Sequence, residues 1–422
     1  MTGGRQGTVR DPGEAPERHD VGAIYRRLGV EPIVNGRSTF TILGGSLMPR
    51  EVLDAMREAA ECFVDLTELQ EAAGRRLAEL THNEAAFVSG GAAAGLFLAA
   101  AVAMTRDTED GVLRLDDLPR LPREFVIHRA HRIPYDLSIE LAAGQLREIG
   151  SIDGTQEAEL ADAMTDRTAA VVYVPKAHLA PAVLPLETVV RLATRRRIPV
   201  IVDAAAQLPP VENLWWFTEA GADLAIFSGG KGLCGPASTG LVVGRRRWIE
   251  RMARNAAPLQ RLGRPMKAGK EDIVGLLAAV EWYLRQDHEA IARRYEDQVA
   301  HIVEWGGGRP EVSVSRVPLG EAGQPTPRAW IRLIGATPDD RDRFLARLRA
   351  EPPRIDLLPD DTNGFYVAPE TLRPGEERVI TDRLTELLEA SDSWRGEVLT
   401  PRPEHAPEPA PSTAGPPASV GR

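Results

Sequence analysis

The chain has 422 residues, 43% hydrophobic and 27% charged, enough apolar material for one large α/β domain with an appendage or for two to three domains. Its formal net charge of −10 argues against nucleic acid as a main partner, because phosphate binding draws on a surplus of Lys and Arg. Two cysteines, Cys62 and Cys234, imply no disulfide framework. No run of ~18 apolar residues offers a membrane span and the polar N-terminus lacks a signal core, so a cytoplasmic location is expected.

The ends, 1–22 and 400–422, are rich in Gly, Pro, Ala and charged residues without periodicity and are expected to be disordered tails. The segment 23–80 opens the folded part. Asn35 to Gly45 is polar and glycine-bearing, neither an ordinary helix nor a strand. Pro49 to Ala60 follows as a helix with Val52, Leu53 and Met56 on one face, and Leu66 to Leu80 as a second amphipathic helix.

Residues 81–285 read as a large domain. Ala86 to Ser89 is an apolar strand, Gly90-Gly91 a small-residue turn, and Ala92 the start of an apolar helix. Free backbone N–H groups and the helix dipole make such a turn a phosphate cradle. Arg106 to Arg123 is expected as a surface loop, Glu124 to His131 as the next strand and its end, and Asp136 as a helix-cap residue. Ala169 to Pro175 is another buried strand with Lys176-Ala-His178 at its end. Leu186 to Arg197 is an amphipathic helix that leads into Pro199 to Ala206, an apolar strand bearing one acid, Asp203. Leu224 to Phe227 is a short strand, and Lys231 follows it between Gly230 and Gly232, 28 residues after Asp203. A lysine on a tight glycine turn at a strand end suits a covalent anchor for a carbonyl compound, whose Schiff base needs an amine with a lowered pKa. The alternative is a solvated turn lysine. Cys234 reads as a small buried thiol. Gly240 to Gly244 is one more strand, the three arginines from Arg245 a surface turn, and Ile273 to Arg285 a long helix. The alternation of strand and helix is a doubly wound pattern with a mainly parallel sheet.

The character changes in 286–395. A helix from Glu289 to about Trp305, alternating strands at Val312–Val317 and Arg328–Leu333, a helix from Asp339 to Ala350, a strand at Phe365–Ala368 and a last helix from Glu376 to Glu389 describe a small α+β domain.

Phosphate turn, strand-end aspartate and strand-end lysine, in that order, resemble the fold-type I enzymes that use pyridoxal 5'-phosphate (PLP). The stretches Asp203-Ala-Ala-Ala-Gln-Leu-Pro-Pro, Ser228-Gly-Gly-Lys-Gly-Leu and Gly263-Arg-Pro-Met-Lys-Ala-Gly-Lys-Glu271 narrow this to the selenocysteine synthase (seryl-tRNA selenium transferase) group, and within it to relatives such as the glucosaminate-6-phosphate ammonia-lyases. The resemblance spans roughly Tyr25 to Leu388 and implies an α/β, aspartate aminotransferase-like fold with a small C-terminal domain. It also implies roles. Lys231 forms the imine with the cofactor and later moves the α-proton, and Asp203 pairs with the ring nitrogen. His131 stacks on the ring, with His128 the weaker candidate. Ser89, Gly90, Gly91 and Ala92 take the phosphate, and Gln207 and Ser228 complete the cofactor site. Arg37, His178, Arg264, Lys267 and Arg373 are candidates for the substrate or its anionic tail, and Lys270 and Glu271 flank them. No metal is expected. The implied function is a lyase or β-replacement enzyme acting on a small amino acid or amino-sugar acid, in a homo-oligomer without nucleic acid or membrane. Alternatives are a class V-like aminotransferase, a selenium transferase or a silent binding protein. The sequence departs from the group at Ser89-Gly-Gly-Ala-Ala-Ala, which lacks a threonine, and at Asn35-Gly-Arg-Ser.

Overall fold

The computed structural model describes residues 22–390. The tails expected to be disordered lie outside them, save Gly22, as does the end of the small domain beyond residue 390. The described residues form two sheets from β1 (Val34–Gly36), β2 (Ala85–Ser89), β3 (Glu124–His128), β4 (Gln145–Ile149), β5 (Thr168–Tyr173), β6 (Val200–Asp203), β7 (Leu224–Ser228), β8 (Gly240–Gly244), β9 (Val312–Val317), β10 (Arg328–Leu333), β11 (Ile355–Pro359) and β12 (Gly364–Val367).

The large sheet has the order β2-β8-β7-β6-β5-β3-β4. Its pairs are parallel except the two made by β8, which runs antiparallel to both β2 and β7. Six strands therefore end on one edge, and β8 begins there with Gly240. Apart from the edge strand β4, the strands read as largely apolar runs because helices cover both faces. Ile201, Val202, Ile226 and Phe227 are at most 1% exposed, and full burial of such a side chain contributes about 1.5–3 kcal/mol. The strands that carry Asp203 and Lys231 are thus held in a packed core. The helix Ala92–Met104 is buried all round from Ala94 onward, its small residues letting it lie close to the sheet.

The small sheet has the order β1-β11-β12-β10-β9. Its outermost strand comes from the N-terminal segment, with Val34, Asn35 and Gly36 parallel to Ile355, Asp356 and Leu357. The 23–80 segment is thereby divided. Its strand joins the small domain, while helices Arg50–Ala60 and Leu66–Leu80 pack on Lys270–Leu284 of the large one. Three strands escape the sequence reading: β1, β4 and β11. β4 is a polar edge strand, and β1 and β11 are short. Among the described residues no helix is long and apolar enough to cross a membrane.

Candidate active site

Segments far apart in sequence end side by side at the carboxyl edge of the large sheet. Ser89 of β2 and Ser228 of β7 both pair with Gly240, and Asp203 of β6 lies opposite Ile226 of β7. Open α/β sheets hold their ligands in this crevice. Lys231 follows β7 on the same edge as Asp203, and the two charges attract.

The lysine turn is built from close backbone approaches. A Cβ on Gly230 would lie 2.5 Å from Cα of Ala237, and one on Gly232 2.7 Å from the carbonyl oxygen of Leu208. Both positions therefore exclude a side chain. Ser46 N–H donates to the Gly230 carbonyl at 2.9 Å, so the N-terminal segment lines this turn. The Lys231 amine has no hydrogen-bond or salt-bridge partner among the described residues, while its carbonyl accepts from Cys234 N–H at 2.9 Å. Cys234, three residues on, is a thiol that burial pushes up to about 11, a structural group rather than a nucleophile.

Asp203 is 8% exposed, and its Oδ1 accepts from Ala205 N–H at 3.1 Å. Burial pushes its carboxyl up, while the Ala205 bond, Lys231 and Lys176 pull it down. A protonated ring nitrogen would add to the attraction of Lys231 and Lys176 and offset the burial that pushes this acid up.

At the phosphate turn no side chain caps the helix Ala92–Met104, so its first N–H groups stay available. Gly91 has φ +101°, open to glycine. The Ser89 hydroxyl turns to the carbonyls of Gly91 (2.8 Å) and Gly240 (3.2 Å) and shapes the turn. A Cβ on Gly90 would meet the carbonyl oxygens of Met266 at 2.7 Å and Lys267 at 3.1 Å. The stretch Arg264–Lys267 therefore lies over the cradle and brings exposed Lys267 beside it. Lys270 turns away to the carbonyl of Ala59 and to Glu271.

β3 ends at His128, and one short turn carries His131. Both rings are fully buried and stand edge-on, 4.9 Å apart. Val174 N–H donates to His131 Nδ1 at 3.3 Å and Leu184 N–H to His128 Nε2 at 3.4 Å. Each ring nitrogen that accepts leaves the proton on the other, so His131 carries Nε2–H and His128 carries Nδ1–H. Those two atoms are buried without a partner among the described residues. Burial lowers His131 to about 3 and His128 to about 4, so both rings are neutral at ordinary pH.

The small domain supplies the opposite bank, which the sequence reading missed. The connection between β9 and β10 rests on the ends of β5 and β6. Gln207 Nε2 donates to Ala322 O at 2.9 Å, and a Cβ on Gly323 would lie 2.7 Å from Ala177 N and 3.2 Å from His178 Nδ1. Glu321 on this connection attracts Lys176, a half-buried amine that burial lowers. Arg328 donates from Nε to Leu319 O at 2.9 Å and lies 4.2 Å over the Tyr366 ring, and burial lowers it too. Glu370 accepts a short hydrogen bond from Ser38 and is electrostatically coupled to Lys231, Glu321 and Arg328. Arg37 pairs with Asp356 at 3.3 Å inside the small domain. Exposed His178 lies beside Gly323, and Arg373 is exposed just before the last helix, with no side-chain hydrogen bond or ion pair to this edge among the described residues. Lys176, Glu321, Arg328 and Glu370 left no motif; Lys176 alone had a usable signal, its place at a strand end.

A mixed, mainly parallel seven-stranded sheet with a smaller C-terminal sheet beside it is the aspartate aminotransferase-like fold. The chain aligns with a solved aspartate aminotransferase from Thermus thermophilus at TM-score 0.51 and 16% identity, over 87% of this chain and 94% of that one. Residues 34–294 match the family described as SelA, L-seryl-tRNA selenium transferase. The chain belongs to this family of fold-type I PLP enzymes. A 5'-C-glycyluridine monooxygenase-decarboxylase from a Streptomyces species is 34% identical over 374 residues, 86% of this chain and 92% of that protein. The D-glucosaminate-6-phosphate ammonia lyase of Salmonella typhimurium is 31% identical over 377 residues, 87% and 98% of the two chains. A solved D-glucosaminate-6-phosphate ammonia-lyase has TM-score 0.74 at 30% identity, covering 87% of this chain and 98% of its own.

Proposed function

We propose that this chain is a PLP-dependent lyase that removes a β-substituent from a small amino acid or amino-sugar acid. The observation that carries the reading is the adjacency of β6 and β7, with Asp203 and Lys231 at one sheet edge beside an uncapped helix start. The residues fit the cofactor. Lys231 offers an amine without a partner, Asp203 an acid that burial pushes up, and Gly90 to Ala92 an anion cradle with Lys267 near it. His131 offers a buried Nε2–H without a partner. Bound there, PLP supplies an electron sink for bonds at the substrate α-carbon.

The chain's own groups divide the remaining work. Lys231, once displaced by substrate, takes the α-proton. Arg328, gripped by Leu319 and Tyr366, presents its remaining N–H groups to a substrate carboxylate. Gln207 ties the β9–β10 connection over the crevice and limits water access. Lys267 and Arg264 suit an anionic tail. Leu28, Phe63 and Val64 leave apolar surface on the N-terminal segment, the chemistry of a contact between copies of the chain.

Borohydride reduction of enzyme loaded with PLP should leave one adduct, on Lys231; an unmodified Lys231 peptide refutes the reading. D-glucosaminate 6-phosphate, serine and related amino acids should then release ammonia and a keto acid without an added acceptor. A requirement for an added keto acid indicates transamination instead. The 34% relative favours one second reading, an oxygen-using decarboxylation. It predicts carbon dioxide release with oxygen uptake, where the lyase gives neither.

A further inference from the structure

Glu370 lies just after β12, where Pro369–Thr371 is strapped to the N-terminal turn Asn35–Ser38. Thr371 Oγ1 donates to Asn35 O at 2.7 Å and Ala368 N–H to Gly36 O at 2.8 Å. Asn35 Nδ2 in turn donates to Ser38 O at 3.0 Å. The turn ends in Ser38 at φ +84°, a strained backbone for a side chain other than glycine, and the result is a buried hydroxyl bonded to Glu370 Oε1. Strain of this kind is kept where the placement of a group matters.

The charged and titratable groups facing Glu370 come from every neighbouring element. They are Lys231 on the lysine turn, Arg328 at the start of β10, Glu321 on the β9–β10 connection, and Tyr295 and Cys234 behind. Gln324 lies close enough to lower the Glu370 carboxyl. Burial first and like-charged Glu321 second push the Glu370 carboxyl up, against Ser38, Lys231 and Gln324. The side chain nevertheless keeps part of its surface open. A departing β-hydroxyl needs a proton, and an acid other than the Lys231 ammonium can supply it without waiting for the α-proton.

We propose that Glu370 is a second catalytic residue, the acid that protonates a β-hydroxyl as it leaves, with Ser38 as its positioning residue. This rests on the lyase reading. In the step, the α-proton passes to the Lys231 amine and the C–H electron pair ends in the new Cα=Cβ bond. The Cβ–O bond breaks with its electrons on oxygen, and the Glu370 proton completes a water molecule. Glu370 leaves as the carboxylate and regains its proton from solvent.

Glu370→Gln keeps an acceptor for Ser38 and loses only the acid. The infrared difference spectrum between cofactor-free wild type and E370Q at about pH 7 should contain a protonated-carboxyl C=O band that belongs to Glu370; its absence overturns the proposal. With serine and β-chloroalanine as probes, E370Q should lose water elimination by about 100-fold or more and keep chloride elimination, since chloride needs no proton. Equal loss with both probes, or no loss with either, overturns the proposal; if wild type turns over neither probe, the infrared band decides. Ser38→Gly, which tolerates the backbone angle, should shift the hydroxyl-to-chloride ratio in the same direction by a smaller factor. An imine at Lys231 is read separately by borohydride, so failure of the lyase reading and failure of this one give different results.

Discussion

The two banks of the crevice are made differently. The large-sheet bank consists of strand-end residues, Asp203, Lys231 and the Gly90–Ala92 turn, each fixed by a contiguous apolar strand and its own glycine turn. The small-domain bank consists of Glu321, Arg328 and Glu370; Glu370 accepts from the remote Ser38, and Arg328 donates to Leu319 O on the same connection. The first bank is rigid because each strand is buried on both faces; the second depends on a few polar contacts between the small domain and the N-terminal segment. In the function proposed above, chemistry common to the PLP class falls to the first bank and substrate-facing choices to the second.

Perturbing the first bank should have the largest effects. Lys231→Ala removes the reducible adduct and the α-proton base, an expected loss of about 10³-fold or more in turnover, read by peptide mapping after borohydride and by kcat. Asp203→Asn keeps the Ala205 contact and removes the charge, an expected loss of about 100-fold in kcat with cofactor still bound, read by absorbance and kinetics. On the second bank, Arg328→Ala should act on binding. Loss of hydrogen bonds to a charged group is worth about 1.5–3 kcal/mol, so KM should rise roughly 10- to 100-fold with a smaller change in kcat. A kcat effect equal to that of Asp203→Asn would erase the distinction between the banks.

A pH test reaches the buried histidines between β3 and β5. Their folded-state values, about 3 for His131 and about 4 for His128, lie below the ordinary 6.5. The unfolded chain therefore binds more protons as pH falls below that value. Stability is fully present above about pH 6.5 and is lost on acidification through the window down to the folded values. His131 alone should cost about 2 kcal/mol on going from pH 7 to pH 5. His131→Phe should flatten the pH dependence of the urea midpoint over that window. The smallest effect is expected from Arg373→Ala, whose exposed side chain makes no hydrogen bond or ion pair to the crevice among the described residues; less than about a twofold change in KM should result.

The sequence carried the first bank further than the second for a physical reason. Gly230-Lys231-Gly232 and Asp203 announce themselves because their strands are short apolar runs and their turns demand glycine. Arg37 illustrates the limit. Its residue type and its place near the mouth suggest a carboxylate ligand, yet in the fold it pairs with Asp356, a residue more than three hundred positions away. The three arginines from Arg245 read as solvated surface and are exposed in the fold; what the sequence does not show is that Arg245 and Arg247 also pair with buried Asp223, which accepts from Trp248 Nε1 at 2.9 Å.

By itself, then, the sequence determined the strand–helix alternation, the glycine turns and the acid and amine at strand ends, because each is a local preference written in consecutive residues. Only the tertiary structure decided that Val34–Gly36 edges the small sheet, that Ser38 meets Glu370, and that Glu321 attracts Lys176. Those meetings depend on loop closure and on buried polar groups finding partners across hundreds of residues, and no local pattern encodes such a choice.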